Sequence, residues 1–203
     1  MKLLILGATG PTGHQLVSRA LEAGHSVAAL VRDPRKVTES IEVIQGDATN
    51  ASAVADAARG RDAIVSALGS SNSLKGGIMM RAVPVLLPAM QQNGVKRLIL
   101  QSSFGVAESF DEATAIQKFF FRTLLRSIYA DKAKADAMIE GSALEWTIVR
   151  PVRLTNGPRS GKYRVSERFD ARGPKNVSRG DVADFMIREL TERKWIRKIA
   201  VIA

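Results

Sequence analysis

The chain contains no cysteine among its 203 residues. Disulfides, thiolate nucleophiles and cysteine-ligated zinc or iron–sulfur centres are thereby excluded, and such usage fits a reducing cytosol. Histidine is almost as scarce. His14 stands in a first helical turn and His25 in a turn before a strand, and neither is placed like a general base. Acidic residues are scattered without HExxH or EF-hand spacing, so no metal site is expected. The absence of Gly-x-Ser-x-Gly leaves a hydrolase elbow unsupported. Long apolar runs are also lacking, and no stretch could span a membrane. The opening "MKLLILGATG" breaks at a glycine pattern too soon for a signal peptide and reads as a strand. These absences point to a cytoplasmic protein without membrane attachment.

Positive charge is abundant. Lysine and arginine number 30 against 20 acidic residues, a net +10. Residues 150–203 hold 14 basic and 6 acidic side chains, a surplus of eight, which leaves +2 for the first 149. This surplus suits a solvated surface, an anionic ligand or nucleic acid. With little aromatic interleaving, the pattern argues against a dedicated nucleic-acid surface.

Strand-length apolar runs alternate with helix-length segments. Strands are expected at 2–6, 26–31, 41–47, 62–69, 96–103, 145–151 and 197–203. Helices are expected at 13–23, 51–58, 79–92, 127–140 and 181–191. Pro84 and Pro88 should bend or shorten the third helix. Continuous apolar strands imply a sheet covered on both faces. The alternation predicts an α/β, Rossmann-like, doubly wound and mainly parallel sheet. One domain over 1–203 is expected, with a small substrate-side insertion around 152–178. Within it, residues 162–174 read as a small hairpin or extended loop. "QKFFFRTLLRSIY" (residues 117–129) reads as a core helix, an apolar flap or a dimer contact.

"LILGATGPTGH" carries Gly7, Gly10 and Gly13 between a strand and a helix. In that context the spacing is a dinucleotide-binding fingerprint. The glycines allow a tight turn, close approach of a pyrophosphate and close helix–strand packing. The helix N-terminus offers free N–H groups to the phosphates, and Thr9 and Thr12 add hydroxyls. An acidic residue at the end of the second strand would bind a ribose 2′-OH, whereas an arginine accommodates a 2′-phosphate. "LVRDPRK" places Arg32 there, with Arg35, also counted among the cofactor contacts, and Lys36 following within reach and Asp33 pointing away or capping the turn. NADPH is therefore expected over NADH. Asp47 and Ala48 end the third strand beside the adenine, and Leu68 and Gly69 bring the fourth close to the ribose. Ser102 is counted with the cofactor contacts. Ser103 could bond the acceptor, the nicotinamide amide or a strand-end backbone group.

"GATGPTG", "LVRDPRK", "GDA", "LGSSN", "QSSFGV", "LEWTIVRP" and "RGDVADFM" recur in this order in a known family. The set resembles the atypical short-chain dehydrogenase/reductases of the NAD(P)H-binding, NmrA-like group. With "GKYRV" and "RGP", it is similar to the biliverdin-IXβ reductase/flavin reductase branch. The resemblance implies NADPH-dependent hydride transfer to a flat conjugated acceptor: a flavin, a linear tetrapyrrole or a quinone. It implies cofactor contacts at Gly7, Thr9, Gly10, Thr12, Gly13, Arg32, Asp47, Ala48, Leu68, Gly69 and Pro151, and a site serine at Ser103. Two positions depart from the branch: Ser71 replaces an arginine and Arg153 a histidine, both on the substrate side. Related reductases use Tyr-x-x-x-Lys, but here Tyr129 and Lys132 are three apart. By the resemblance Lys132 and Asp136 hold the lysine register, so the tyrosine place falls on Ile128; if Tyr129 takes the tyrosine role instead, the lysine place falls on Ala133, and either way the pair is broken. Lys132 is then a ribose or nicotinamide contact, and Tyr129 is structural.

A broken acid pair suits a substrate whose developing charge is delocalised. The expected partner is a planar small molecule, anionic ones included, with the protein a monomer or weak homo-oligomer. The competing reading is a non-catalytic NADP(H)-binding redox sensor or regulator of the NmrA-like kind. A nucleotide-sugar epimerase would need the Tyr–Lys pair and a larger C-terminal domain.

Overall fold

The structure is a computed structural model that describes residues 1–69, 77–104, 126–169 and 173–203, with 126–129 described by backbone alone. The main strands are β1 (Lys2–Leu6), β2 (Ser26–Val31), β3 (Glu42–Gln45), β4 (Ala63–Ser66), β5 (Arg97–Gln101), β6 (Glu145–Pro151) and β10 (Lys198–Ile202). Three short strands, β7 (Arg153–Thr155), β8 (Val165–Ser166) and β9 (Asn176–Ser178), lie between β6 and the last helix. The helices are α1 (Pro11–Glu22), α2 (Ala51–Ala58), α3 (Ile78–Gln92), α4 (Arg126–Glu140) and α5 (Arg179–Glu192). The sheet order is β3-β2-β1-β4-β5-β6-β10-β8, parallel except for β8. This is the Rossmann order, whose reversal between β1 and β4 opens a crevice at the carboxyl ends of the strands.

Strand β1 shows why both sheet faces are covered. Leu3 and Ile5 point into one core with Leu16 and Val17 of α1 and Val182 and Met186 of α5. Leu4 and Leu6 point into the other with Val54 of α2, Leu86 of α3 and Ile139 of α4. All four β1 side chains are fully buried. Burial of each contributes roughly 1.5–3 kcal/mol, so a polar replacement at any of them removes support from one whole layer.

The expected bending or shortening by proline meets a continuous 15-residue α3 that contains Pro84 and Pro88. Both lie four apart on the exposed side, while Val83, Leu86 and Met90 face the core. The carbonyls of Met80 and Pro84, which lose their intrahelical partners, thus belong to a half-buried and an exposed residue, not to the core face.

The short strands pair in two ways. β7 and β9 form a parallel ribbon apart from the main sheet. β8 adds antiparallel to the outer edge of β10, through Val201 with Ser166 and Ile202 with Val165. The hairpin considered for 162–174 does not form among the described residues, because β8 takes β10 as its partner. At the opposite end of the sheet, Arg97 and Glu189 make a fully enclosed ion pair at 3.0 Å. Arg97 also donates to the Glu145 carbonyl and to Thr147 Oγ1. Burial pulls its guanidinium down to about 10.

Candidate active site

The loop after β1 has the shape its glycines predict. Gly7 has φ +79°, and a Cβ there would lie 2.8 Å from the Ala67 backbone. A Cβ on Gly13 would stand 2.0 Å from the Gly7 carbonyl oxygen, so α1 could not approach β1 as it does. At Gly10 a Cβ would meet only that carbonyl, at 3.3 Å. Helix α1 begins at Pro11 on Gly10, with no side chain capping it. Its first N–H groups are therefore left for a ligand, and the helix dipole favours an anion. Thr9 is half-buried and Thr12 buried, and neither hydroxyl has a partner among the described residues.

Arg32 follows β2, exposed and without an ion-pair partner among the described residues. Of its two expected roles Asp33 takes the capping one: it accepts from Arg35 N at 3.2 Å at the head of the turn Pro34–Lys36. Arg35 grips the same carboxylate at 2.9 and 3.2 Å and holds Asp33 below the usual carboxylate range. The nearby Asp47 accepts from Thr49 N and Oγ1, both at 2.8 Å. These bonds, the backbone one foremost, lower its carboxyl. Ala48 is buried beside it, Leu68 is half-buried, and a Cβ on Gly69 would meet open space.

Past the end of β5, Ser103 and Lys132 come together. Lys132 Nζ donates to Ser103 Oγ at 2.7 Å and to the Ser102 carbonyl at 3.1 Å. Lys132 is buried, and desolvation pushes its ammonium down to about 8 against the pull of Asp136 and Asp131. Ser102 requires a correction. Expected among the cofactor contacts, it is wholly enclosed, and its hydroxyl donates to Asp136 Oδ2 at 2.9 Å. Successive residues of an extended chain point to opposite sides, so Ser103 faces the crevice side and Ser102 the protein. Arg150 donates to the same Asp136 oxygen at 3.1 Å. Burial raises the Asp136 carboxyl despite Arg150, Ser102 and Lys132.

Pro151 is buried at the end of β6, with its carbonyl taken by Phe104 N–H at 3.1 Å. Arg153 is exposed on β7. Ser71, most of the 117–129 segment and the side chain of Tyr129 lie outside the described residues. His14 is half-buried and reaches Glu39 at 3.2 Å, while His25 sits beside the N-terminal amine. Asp131 and Arg150 escape a reading from sequence alone. The signal was present for Arg150: a charge inside the apolar run "TIVRP" demands a buried partner.

A 3-2-1-4-5-6 sheet with a glycine loop at its switch point defines a dinucleotide-binding Rossmann protein, here with a serine–lysine pair past the fifth strand. The chain belongs to the NAD(P)H-binding family, whose model matches residues 7–193. This agrees with the resemblance to the atypical short-chain dehydrogenase/reductases. The chain is 31% identical over 206 residues to the uncharacterized sugar epimerase YhfK of Bacillus subtilis (strain 168), covering 95% of this chain and 89% of that protein. It is 44% identical over 57 residues to a 3-diazoavenalumate denitrifying reductase of Streptomyces sp, covering 28% of this chain and 19% of that one. Among solved structures, ChuY, an anaerobillin reductase from Escherichia coli O157:H7, superposes with a TM-score of 0.84 at 25% identity. That match covers 100% of this chain and 96% of ChuY.

Proposed function

We propose that the protein is an NADPH-dependent reductase that delivers hydride to a planar conjugated acceptor: a flavin, a biliverdin-type tetrapyrrole or a quinone. One observation carries the reading. Lys132 is spent on Ser103, and the tyrosine place four residues before it holds Ile128. Such a site can offer a hydroxyl hydrogen bond backed by an ammonium, without a phenolic acid. That suffices where the developing negative charge spreads over a conjugated system and water completes protonation. The balance is acceptor, NADPH and one proton giving reduced acceptor and NADP+.

When bound, the nicotinamide supplies the hydride. The chain's own residues hold and orient. The α1 N-terminus and Thr9 and Thr12 meet the phosphates, and Arg32 meets the 2′-phosphate as a guanidinium suited to that geometry. Ser103 directs its hydroxyl at the acceptor. An apolar flank is close by: Phe104 lies on Phe169 with ring centroids 4.5 Å apart. Phe169 also lines a cavity of about 340 Å³ with Val165, Pro174 and Val201, a volume suited to a small organic ligand. The likeness to a bilin-type reductase supports a tetrapyrrole among the acceptors. The epimerase name of the Bacillus relative raises a second reading, against which Ile128 stands.

Steady-state NADPH oxidation with FMN, FAD, biliverdin and quinones tests the reading. Turnover with at least one is expected. Tight NADPH binding with no turnover across the panel would replace it with a non-catalytic NADP(H) sensor.

A further inference from the structure

Helix α3 begins on Gly77, which has no side chain to cap it. Its orphan N–H groups need acceptors. They find one 51 residues along the chain: Asp131 of α4 takes Met80 N with Oδ1 at 2.9 Å and Met79 N with Oδ2 at 3.1 Å. The carboxylate is buried at the positive end of the α3 dipole. The next residue is Lys132. Consecutive helical side chains point about 100° apart, so the two reach different neighbours. Asp131 reaches the start of α3, and Lys132 reaches the end of β5.

We propose that Asp131 is a positioning residue, joining the start of α3 to the Ser103–Lys132 pair so that the two walls of the site are set together. The role rests on the reductase reading given above. Helix α3 follows the β4 end that carries Leu68 and Gly69, and Ser103 closes β5, so the clamp spans the neighbouring strand ends between which the acceptor must sit. Asp131 also acts through charge. The groups that act on Lys132 are the charges of Asp136 and Asp131 on its own helix and its bonds to Ser102 and Ser103 past β5, with Arg150 of β6 reaching it through Asp136. The positive end of α3 adds to this set, and Asp131 stands against it. Removing that negative charge therefore favours the neutral amine of Lys132.

Two variants separate the clamp from the charge. Asp131→Asn removes the charge and spoils one of the two bonds. Met80→Pro removes one N–H donor in the first turn of α3, where no intrahelical bond is lost, and leaves every charge in place. The titration of Lys132 is followed by NMR of 13Cε-labelled lysine, with Lys132→Arg for assignment, and the acceptor KM is measured at saturating NADPH. Asp131→Asn should move the lysine titration roughly one pH unit toward acid and carry the alkaline limb of kcat with it. Both variants should raise KM severalfold, and Met80→Pro should leave the titration unmoved. Loss of thermal stability alone, with titration and KM unchanged, would reduce Asp131 to a helix cap and overturn the proposal. If Asp131→Asn does not fold, an unchanged KM in Met80→Pro overturns it. If the wild-type protein turns over no acceptor, the reductase reading fails separately, and an unmoved lysine titration in Asp131→Asn then sinks the coupling.

Discussion

Lys132 Nζ and Ser103 Oγ are 2.7 Å apart, held by a helix and a strand end that are 29 residues apart in the chain. Their closeness makes them one unit. Ser103→Ala and Lys132→Met should each lower kcat about 10- to 100-fold, at or below the low end of what a lost general acid costs, because the pair holds the acceptor while water completes protonation. The double variant should lose little more than either single one, because each change removes the same interaction. Tyr129→Phe should stay within about twofold of wild type, since the chemistry asks for no phenol. Single-turnover hydride transfer reads all four.

The protonation of Lys132 gives two pH effects of known sign. Activity should fall above a pH of about 8 as Nζ loses its proton, and Lys132→Met should show a flat profile there. Stability moves the other way. The native lysine releases its proton near 8 and the unfolded one near its ordinary 10.5, so between these values the unfolded chain holds more protons. Stability then rises with pH across that window. The gain is roughly 3 kcal/mol relative to Lys132→Met, readable by denaturant titration at pH 7.5 and 10.5.

The three loop positions should respond according to the space around them. Gly13→Ala places a methyl 2.0 Å from the Gly7 oxygen and should destabilise the fold by several kcal/mol, the scale of severe overpacking. Gly7→Ala combines a positive φ with a 2.8 Å contact and should do likewise. Gly69→Ala meets nothing and should leave the melting temperature unchanged, so any loss of cofactor affinity would report a contact with the cofactor alone.

Arg32 and Arg35 should differ despite their proximity. Arg32→Asp should reverse the cofactor preference, with kcat/KM for NADPH falling about a hundredfold, the effect of losing a charge-assisted pair. Arg35 is committed to Asp33 and almost fully exposed, and Arg35→Ala should change NADPH affinity by no more than about threefold, as for a surface ion pair. Isothermal titration with both nucleotides distinguishes them.

The Arg97–Glu189 pair is fully enclosed. Glu189→Ala should cost about 3–5 kcal/mol, because it strands a buried guanidinium. NADPH binding per folded molecule should not change, since the pair lies at the far end of the sheet from the glycine loop.

Strand and helix positions were legible because the residues that set them act locally. The alternation in "KLLIL" and the glycines of "GATGPTG" carry their meaning within a dozen residues. Pro84 and Pro88 do not shorten α3 (Ile78–Gln92) for a reason that local sequence does not state: both lie on its exposed side. The glycines, Arg32 and Ser103 could be singled out from sequence because each stands at a strand end or in a strand–helix turn that local pattern reveals. Ser102 was misassigned because only tertiary packing shows that Asp136 lies beneath it. Asp131 and Arg150 were missed because their partners, the start of α3 and a carboxylate on α4, are distant in sequence.

Because Gly7 lies against the backbone of Ala67, the phosphate loop takes its final form only when β4 is beside β1. Sixty residues (67 − 7) separate the two contacts, so during synthesis the loop emerges well before the strand that shapes it. The first four strands lie together on one side of the sheet, in the order β3-β2-β1-β4. Serine, lysine and their buried carboxylates are all encoded later. The glycine loop with the strand that shapes it, and the Ser103–Lys132 pair with its carboxylates, are thus encoded in two separate stretches of the chain.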